Sequence, residues 1–334
     1  MVTMLDVARK AGVSKSTVSR VLNGKNIVGE DVRQRVLAAI DEIGYRPNLL
    51  ARQLATKKTS LIGFVMTNEL YNGSYFSTII HNVAFFSDKY NHQLILADGK
   101  HSADDERKAI NYLIDMNCAG IVVYPQYLSV EELEDILSTN STPVIVINRY
   151  LPNHLEKCVS IDHAQSSELL VKYVIGQGHK DIAYIRGKND SVSDLHRYNA
   201  FLKELTDSDI TLNEQLVVSG DWSSDSGYIA TKELIARNVK FTAVIAGNDD
   251  MAFGAMKALK QSAYNLPGDV SVAGFDNTIM CEYISPQLTS LSLPFDKMIE
   301  LAVIKAIHPE MAVVEANMKG ELIVRESVVK LSDH

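Results

Sequence analysis

A chain of 334 residues with 46% hydrophobic and 22% charged residues has length for about two globular domains and too much apolar content for a disordered chain. No apolar run approaches the roughly 20 residues that span a bilayer, and polar residues interrupt any apolar core near the start. Neither a membrane span nor a signal peptide is therefore expected, and the cytoplasm is the expected compartment. The net charge of −8 is uneven: residues 1–60 carry eleven Lys/Arg and five Asp/Glu, the remainder 22 and 36, a basic head on an acidic body that suits a head touching phosphates.

The first elements predicted are three short helices near 4–11, 15–22 and 30–43. Leu5, Val7 and Ala8 give the first its apolar face. Gly12 and Ser14 supply a turn and then a cap for the second. Two helices joined by such a turn make a helix-turn-helix, whose second helix enters the major groove. Lys15 and Ser16 open that helix. Arg20 lies one turn further on the same face and can pair bidentately with a guanine, so these three are the expected base readers. Thr3, Ser14, Thr17, Ser19, Asn23, Tyr45 and Asn48 carry hydroxyls or amides suited to phosphate. Val7, Ala8, Val13, Val18, Val21, Val36 and Ile40 are the expected core of the head. Gly44 ends the third helix, and Arg46-Pro47-Asn48 breaks regularity. Asn48 can cap a short helix over Leu49–Ala55, too short to be stable alone, followed by a linker at Lys57–Ser60.

From Leu61 short apolar runs alternate with helix-period segments: 61–66, 93–98, 120–125, 143–148, then 181–187, 215–220, 243–248 and 269–275. This pattern predicts an α/β fold with two parallel sheets, helices on both faces of each, and a break near Cys158–His163. Ligands in such sheets sit at the carboxyl ends of strands. Polar and aromatic groups recur there: Asn68, Tyr75 and Phe76 after the first strand, Asp98 at the second, Asn148 and Arg149 after the fourth. The second series adds Arg197, with five donors in a fixed fork, Asn248, and Asp276, whose carboxylate can accept two hydroxyls. Trp222 and Phe295 could stack on a ring face. Asp249-Asp250 read as a helix cap and His179 as structural. The cysteines Cys118, Cys158 and Cys281 lack C-x-x-C spacing and are expected as buried thiols. No P-loop, dinucleotide fingerprint, G-x-S-x-G elbow or metal-ligand spacing is present, so neither an enzyme nor a cofactor is expected.

MLDVARKAGVSKSTVSRVLNG and GYRPNLLARQLATKKTSLIGFV, with GHKDIAYIRG (178–187), AVIAGNDDMAFGAMKAL (243–259) and DVSVAGFDN (269–277), resemble the LacI/GalR family of bacterial transcription regulators, and among them the sugar-responsive galactose and β-glucoside repressors. The resemblance covers essentially the whole chain. It implies a helix-turn-helix head (1–46), a hinge helix and linker (47–60), and a core (61–334) with the bilobed fold of periplasmic sugar-binding proteins. Subdomain 1 would take about 61–159 and 292–330, the chain end crossing back to complete it, and subdomain 2 about 160–291. The family inserts a leucine, matched here by Leu54, into the minor groove at the centre of a palindromic operator, where an apolar wedge kinks DNA. Asn248 and Asp276 match its ligand-contacting positions. Two departures stand out: Gly29 where relatives often have Ser or Thr, and Asn148 where many have Asp. The absence of a leucine heptad after the last strand points to a homodimer. The expected function is an operator-binding repressor controlled by a small sugar or β-glucoside. The alternative is the same scaffold with a co-repressing ligand or protein co-effector; a transport-type binding protein or an enzyme without a DNA role is more distant.

Overall fold

The computed structural model describes residues 2–22, 27–46, 59–71, 73–188, 191–311 and 317–331. Its contacts divide it into two units, residues 1–59 and 60–334. In the first, α1 (Met4–Ala11), α2 (Lys15–Leu22) and α3 (Glu30–Ile43) fall where the sequence predicts them. Local chemistry sets their ends. Thr3 and Asp6 form a capping box on α1, and Gly12 leaves the helix at a φ of 66° that glycine adopts without strain. Ser14 Oγ then accepts from Thr17 N at 3.2 Å and caps α2. Gly29 enters α3 with no side-chain cap. Val7, Ala8, Val18, Val21 and Val36 are buried together, with Val13 and Ile40 packed against them. Leu5 corrects the expected apolar face: the buried stripe runs through Val7, Ala8 and Ala11, and Leu5 lies off it at 52% exposure. Asn23, Asn48, Leu54 and the short helix expected over 49–55 lie outside the described residues.

The second unit contains two parallel sheets of matching order. The first holds β1 (Leu61–Met66), β2 (Gln93–Asp98), β3 (Gly120–Val123), β4 (Val144–Ile147), β5 (Cys158–Ile161) and the short β11 (Asn317–Met318), ordered β11-β5-β4-β3-β1-β2. The second holds β6 (Ile182–Arg186), β7 (Val217–Ser219), β8 (Ala243–Ala246), β9 (Ser271–Phe275), β10 (Thr289–Ser292) and β12 (Glu321–Ile323), ordered β12-β10-β9-β8-β6-β7, with β12 alone antiparallel. The runs VIVI in β4 and AVIA in β8 are buried throughout because helices cover both faces. On the first sheet α4 (Ser74–Lys89) and α11 (Phe295–Ile307) cover one face, and α5 (Ala103–Asp115) and α6 (Val130–Thr139) the other. On the second α7 (His163–Gly176) and α8 (Val192–Asp207) face α9 (Ser224–Ala236) and α10 (Asp249–Gln261) across the sheet.

Two expectations change. Cys158–Ile161 forms strand β5 on β4, and the chain leaves the first lobe only after it. The chain end divides between the lobes instead of returning whole to the first: α11 and β11 join the first sheet, while Thr289–Ser292 and Glu321–Ile323 pair in the second. Pro294 separates strand from helix within the 289–298 segment read as strand. His179 is structural as expected, its ring bonded to Thr242 Oγ1 and the Val329 carbonyl, both at 3.0 Å. The three cysteines are buried thiols.

Helices α9 and α10 touch through Gly227 and Gly254. A methyl group at Gly254 would overlap the Ser224 carbonyl oxygen and Tyr228 N, backbone atoms that cannot rotate away. Gly254→Ala gains helix propensity but forces the helices apart. We expect a net loss of about 1–3 kcal/mol, read as a lower unfolding midpoint in denaturant.

Candidate functional site

Both sheets reverse strand order between their first and third strands, where open sheets bind ligands. The loops at these two points face each other across an inner cavity of about 60 Å³, lined by Leu70, Tyr75, Tyr124, Gln126, Asn148, His163, Ser191, Ser193, Arg197, Trp222, Asn248 and Asp276. An outer chamber of about 490 Å³ shares Asn148, His163 and Ser193 and adds Arg149, Tyr150 and His196 among others.

The second-lobe wall is built on Arg197, which α8 places in the interior at 4% exposure. Its Nη2 donates to Asp276 Oδ1 at 2.9 Å, its Nη1 donates to the Gly247 carbonyl, and its guanidinium lies 4.7 Å from the Phe275 ring centroid. The fork expected to hold ligand is thus divided between Asp276 and the Gly247 carbonyl. Burial raises the Asp276 carboxyl while Arg197 opposes it. Asp276 has a φ of 98°, Asn277 49°, Trp222 76° and Asn148 57°. Left-handed non-glycine residues are uncommon, and three of these, Asn148, Trp222 and Asp276, line the cavity. Asn248 caps α10 by accepting from Met251 N, and its amide donates to the Trp222 carbonyl at 2.9 Å. Trp222 lies directly over Gly187, where any Cβ would collide with the indole. Asp249, read from sequence as a cap, is fully buried behind this wall. It accepts from Thr278 N (2.7 Å), Ser290 Oγ (2.6 Å) and the Cys281 thiol (3.1 Å), pinning the loop that carries Asp276. Burial, then the charge of Asp276, pushes its pKa up to about 7.

The first-lobe wall is a hydrogen-bonded chain. Tyr75 donates to Tyr124 Oη at 3.1 Å, Asn148 Nδ2 donates to the same oxygen at 2.8 Å, and Asn148 Oδ1 meets His163 Nε2 at 2.7 Å. Glu106 shapes the loop beyond Tyr124 by accepting from Gln126, Tyr127 and Leu128 N. The lobes are linked where Asp250 accepts from Ser74 N (3.2 Å) and Oγ (2.9 Å) at the start of α4.

Six of the eleven expected effector residues line the inner cavity: Tyr75, Asn148, Arg197, Trp222, Asn248 and Asp276. Arg149 lines the outer chamber. Asn68 and Asp98 bond each other, at 3.0 Å from the backbone and 2.9 Å from the amide. Phe76 packs on Tyr71 with centroids 4.5 Å apart, and buried Phe295 stands edge-on to Tyr75 at 4.9 Å, bracing it rather than facing the cavity. Tyr124, Gln126, His163, Ser191 and Ser193 were missed. The strand-end rule would have found Tyr124, which directly follows β3, and Ser193 lies one turn before Arg197 on α8.

In the head, Lys15, Ser16 and Arg20 are all exposed, with Ser16 and Arg20 one turn apart on one face of α2. Ser14 Oγ bonds the hydroxyls of Ser16 and Thr17, each at 2.8 Å. The Thr3 hydroxyl belongs to its capping box, Tyr45 packs against the head's core, and Ser19 is half-buried.

Two family models match: bacterial regulatory proteins, lacI family, over residues 3–48, and a periplasmic binding protein-like domain over 171–328. The HTH-type transcriptional regulator AscG of Escherichia coli (strain K12) is 45% identical over 300 residues, covering 90% of this chain and 89% of that protein. The chain belongs to the lacI family. Among solved structures, the Lac repressor dimer bound to operator and the anti-inducer ONPF matches with a TM-score of 0.86 at 27% identity, over 98% of this chain and 99% of that one. A complex of the transcriptional regulator CelR with cellobiose matches with a TM-score of 0.70 at 29% identity, over 98% and 100%. Like its lacI-family relatives, the chain is a DNA-binding transcription regulator and not an enzyme.

The buried Asp249 carboxyl yields a pH prediction. Its folded pKa of about 7 exceeds the unfolded value of about 3.9, so the folded state holds a proton that the unfolded chain releases between those limits. That contribution to stability is complete below about pH 4 and fades as pH rises through 7. Asp249→Asn keeps an oxygen for Thr278 N and can donate to Ser290 Oγ. We expect the stability difference, wild type minus variant, to fall between pH 4 and 7 in paired denaturant titrations; a constant difference removes Asp249 as the titrating group.

Proposed function

We propose that the chain is a homodimeric repressor that holds a palindromic operator in the cytoplasm and is controlled by a small sugar or β-glucoside bound in the interlobe cleft. The observation carrying the effector half is the cavity itself: an ion-paired Arg197 and Asp276, an amide, an indole and a tyrosine pair converge on one cleft between the lobes, the mix of polar anchors and apolar platform that a pyranose requires. Relatives support the ligand class, since CelR was solved with cellobiose and another LacI-family regulator, from Enterococcus faecium, with ribose. On the DNA side Lys15, Ser16 and Arg20 read bases, while Ser14, Thr17, Ser19, Asn23, Tyr45 and Asn48 set register on phosphates and Leu54 is the minor-groove wedge. Dimerisation is supported by the exposed apolar turn bearing Ile279 and Tyr283, at 73% and 75% exposure, a surface suited to a second copy.

The inner cavity of about 60 Å³ adjoins the outer chamber of about 490 Å³, and residues of both lobes line each, so a change in lobe spacing alters both. The effector then favours one lobe arrangement and the operator the other. Coupling of this kind is typically about 1–3 kcal/mol, or roughly 5- to 150-fold in affinity. Fluorescence anisotropy on a palindromic operator at fixed salt, with and without a panel of sugars and β-glucosides, tests this. We expect one sugar to weaken operator binding within that range. A ligand that tightens binding establishes a co-repressor, and no response to any sugar removes sugar control. Arg20→Ala is expected to lower operator affinity by roughly 5- to 150-fold and to relax specificity at one base pair.

A further inference from the structure

The hydrogen-bond chain on the first-lobe wall runs from Tyr75 through Tyr124 and Asn148 to His163 and is incomplete at two points. Tyr124 Oη accepts from Tyr75 and from Asn148 Nδ2, so both of its lone pairs are engaged. Its own proton has no acceptor in that chain. Burial pushes the phenol pKa up, so the proton stays on the oxygen at neutral pH. At the other end His163 gives its Nε2 proton to Asn148 Oδ1. The imidazole is uncharged, because burial, then the nearby Arg197 and His196, drive its pKa well down. A neutral ring with its proton on Nε2 has a bare acceptor at Nδ1. That atom is buried, in a residue only 8% exposed, without a hydrogen-bond partner among the described residues. Both residues line the inner cavity, and His163 also lines the outer chamber. Among the described residues, one wall therefore holds a donor without an acceptor and an acceptor without a donor.

We propose that Tyr124 and His163 are a matched donor and acceptor that read hydroxyls of an uncharged sugar ring: Tyr124 donates to one ligand oxygen, and His163 Nδ1 accepts a proton from a ligand hydroxyl. The assignment rests on the sugar reading above and narrows it. A phosphate ester or carboxylate oxygen placed against Nδ1 has no proton to give and meets a lone pair, so this corner selects the neutral hydroxyl against its anionic derivative. His163 also stands where the two chambers meet, so the hydroxyl it reads lies on the side of the ring facing any larger substituent in the outer chamber.

Calorimetric titration of the full-length chain separates the possibilities. The probes are the methyl β-glycosides of glucose and galactose, with the monodeoxy and monodeoxyfluoro analogues of each. Fluorine keeps the size of a hydroxyl but has no proton. For the wild type we expect one fluoro analogue to bind roughly 5- to 150-fold more weakly than its parent, the range for leaving a buried polar group unpaired. That penalty should shrink to less than about twofold in His163→Phe. It should persist in His163→Gln, whose amide can supply both a donor and an acceptor. A separate deoxy position should lose its penalty in Tyr124→Phe. Unchanged thermal midpoints verify that the variants fold, and the wild-type analogue series is itself a test that needs no variant. The proposal is overturned if every fluoro analogue binds the wild type within twofold of its parent, or if the penalties survive unchanged in His163→Phe and Tyr124→Phe while the parent glycoside still binds; the sugar reading then stands. If neither parent glycoside binds the wild type, the sugar reading falls and this assignment with it.

Discussion

The buried pair of Arg197 and Asp276 is the constraint around which the cleft is built. Two opposite charges removed from water are tolerated only when their geometry is good and their remaining groups are bonded, and removing one partner leaves the other uncompensated. Arg197 reaches both Asp276 and the Gly247 carbonyl, the Phe275 ring lies beside its guanidinium, and its Nε is left buried without a partner among the described residues. The consequence spreads through the wall. Asp276 meets the guanidinium from a left-handed backbone, and Asp249 holds the same loop from behind through Thr278 and Ser290. Asn248 fixes Trp222 from one side, and the missing side chain of Gly187 admits the indole from the other. Such a wall has few soft degrees of freedom.

The opposite wall works differently. It is a linear chain of uncharged groups from Tyr75 through Tyr124 and Asn148 to His163, with Phe295 bracing its first ring. Asn148 keeps this wall neutral, which suits a position close to a phenol and an imidazole that are both uncharged. The walls meet directly through Asp250 and Ser74, so lobe closure and the cleft belong to one bonded system. A ligand that bridges them alters the balance between lobe arrangements by its differential affinity alone.

What the sequence made legible follows from how local each determinant is. The head's helices could be placed because their stops are written within three or four residues: Thr3 with Asp6, Gly12, Ser14 and Gly44. Most strands of the body could be placed because each is an apolar run between two helices. The strand Cys158–Ile161 was read as a break because four residues beside a lobe crossing carry little periodicity. The destination of the chain end was not legible either, since nothing in GELIV states which sheet edge is vacant. Within the site, Arg197, Asn248 and Asp276 could be found because each follows a strand that was recognised. Tyr124 and His163 owe their importance to what their partners leave unsatisfied, and that depends on three-dimensional pairing. Phe76 and Phe295 show the limit of residue type as evidence, for an aromatic near a cleft is as readily its brace as its lining.

The chain passes between the lobes three times, after Ile161, between Ser292 and Phe295, and between Met318 and Glu321. Each lobe is thus assembled from pieces far apart in sequence, although the two repeat the same strand order. A genetic exchange with a related regulator could not transfer one lobe as a single uninterrupted cassette; it would need several joins, all falling at the three crossovers between the lobes. Ligand preference in such a scaffold is therefore expected to change by substitution on standing walls, one side chain at a time, more readily than by trading whole lobes.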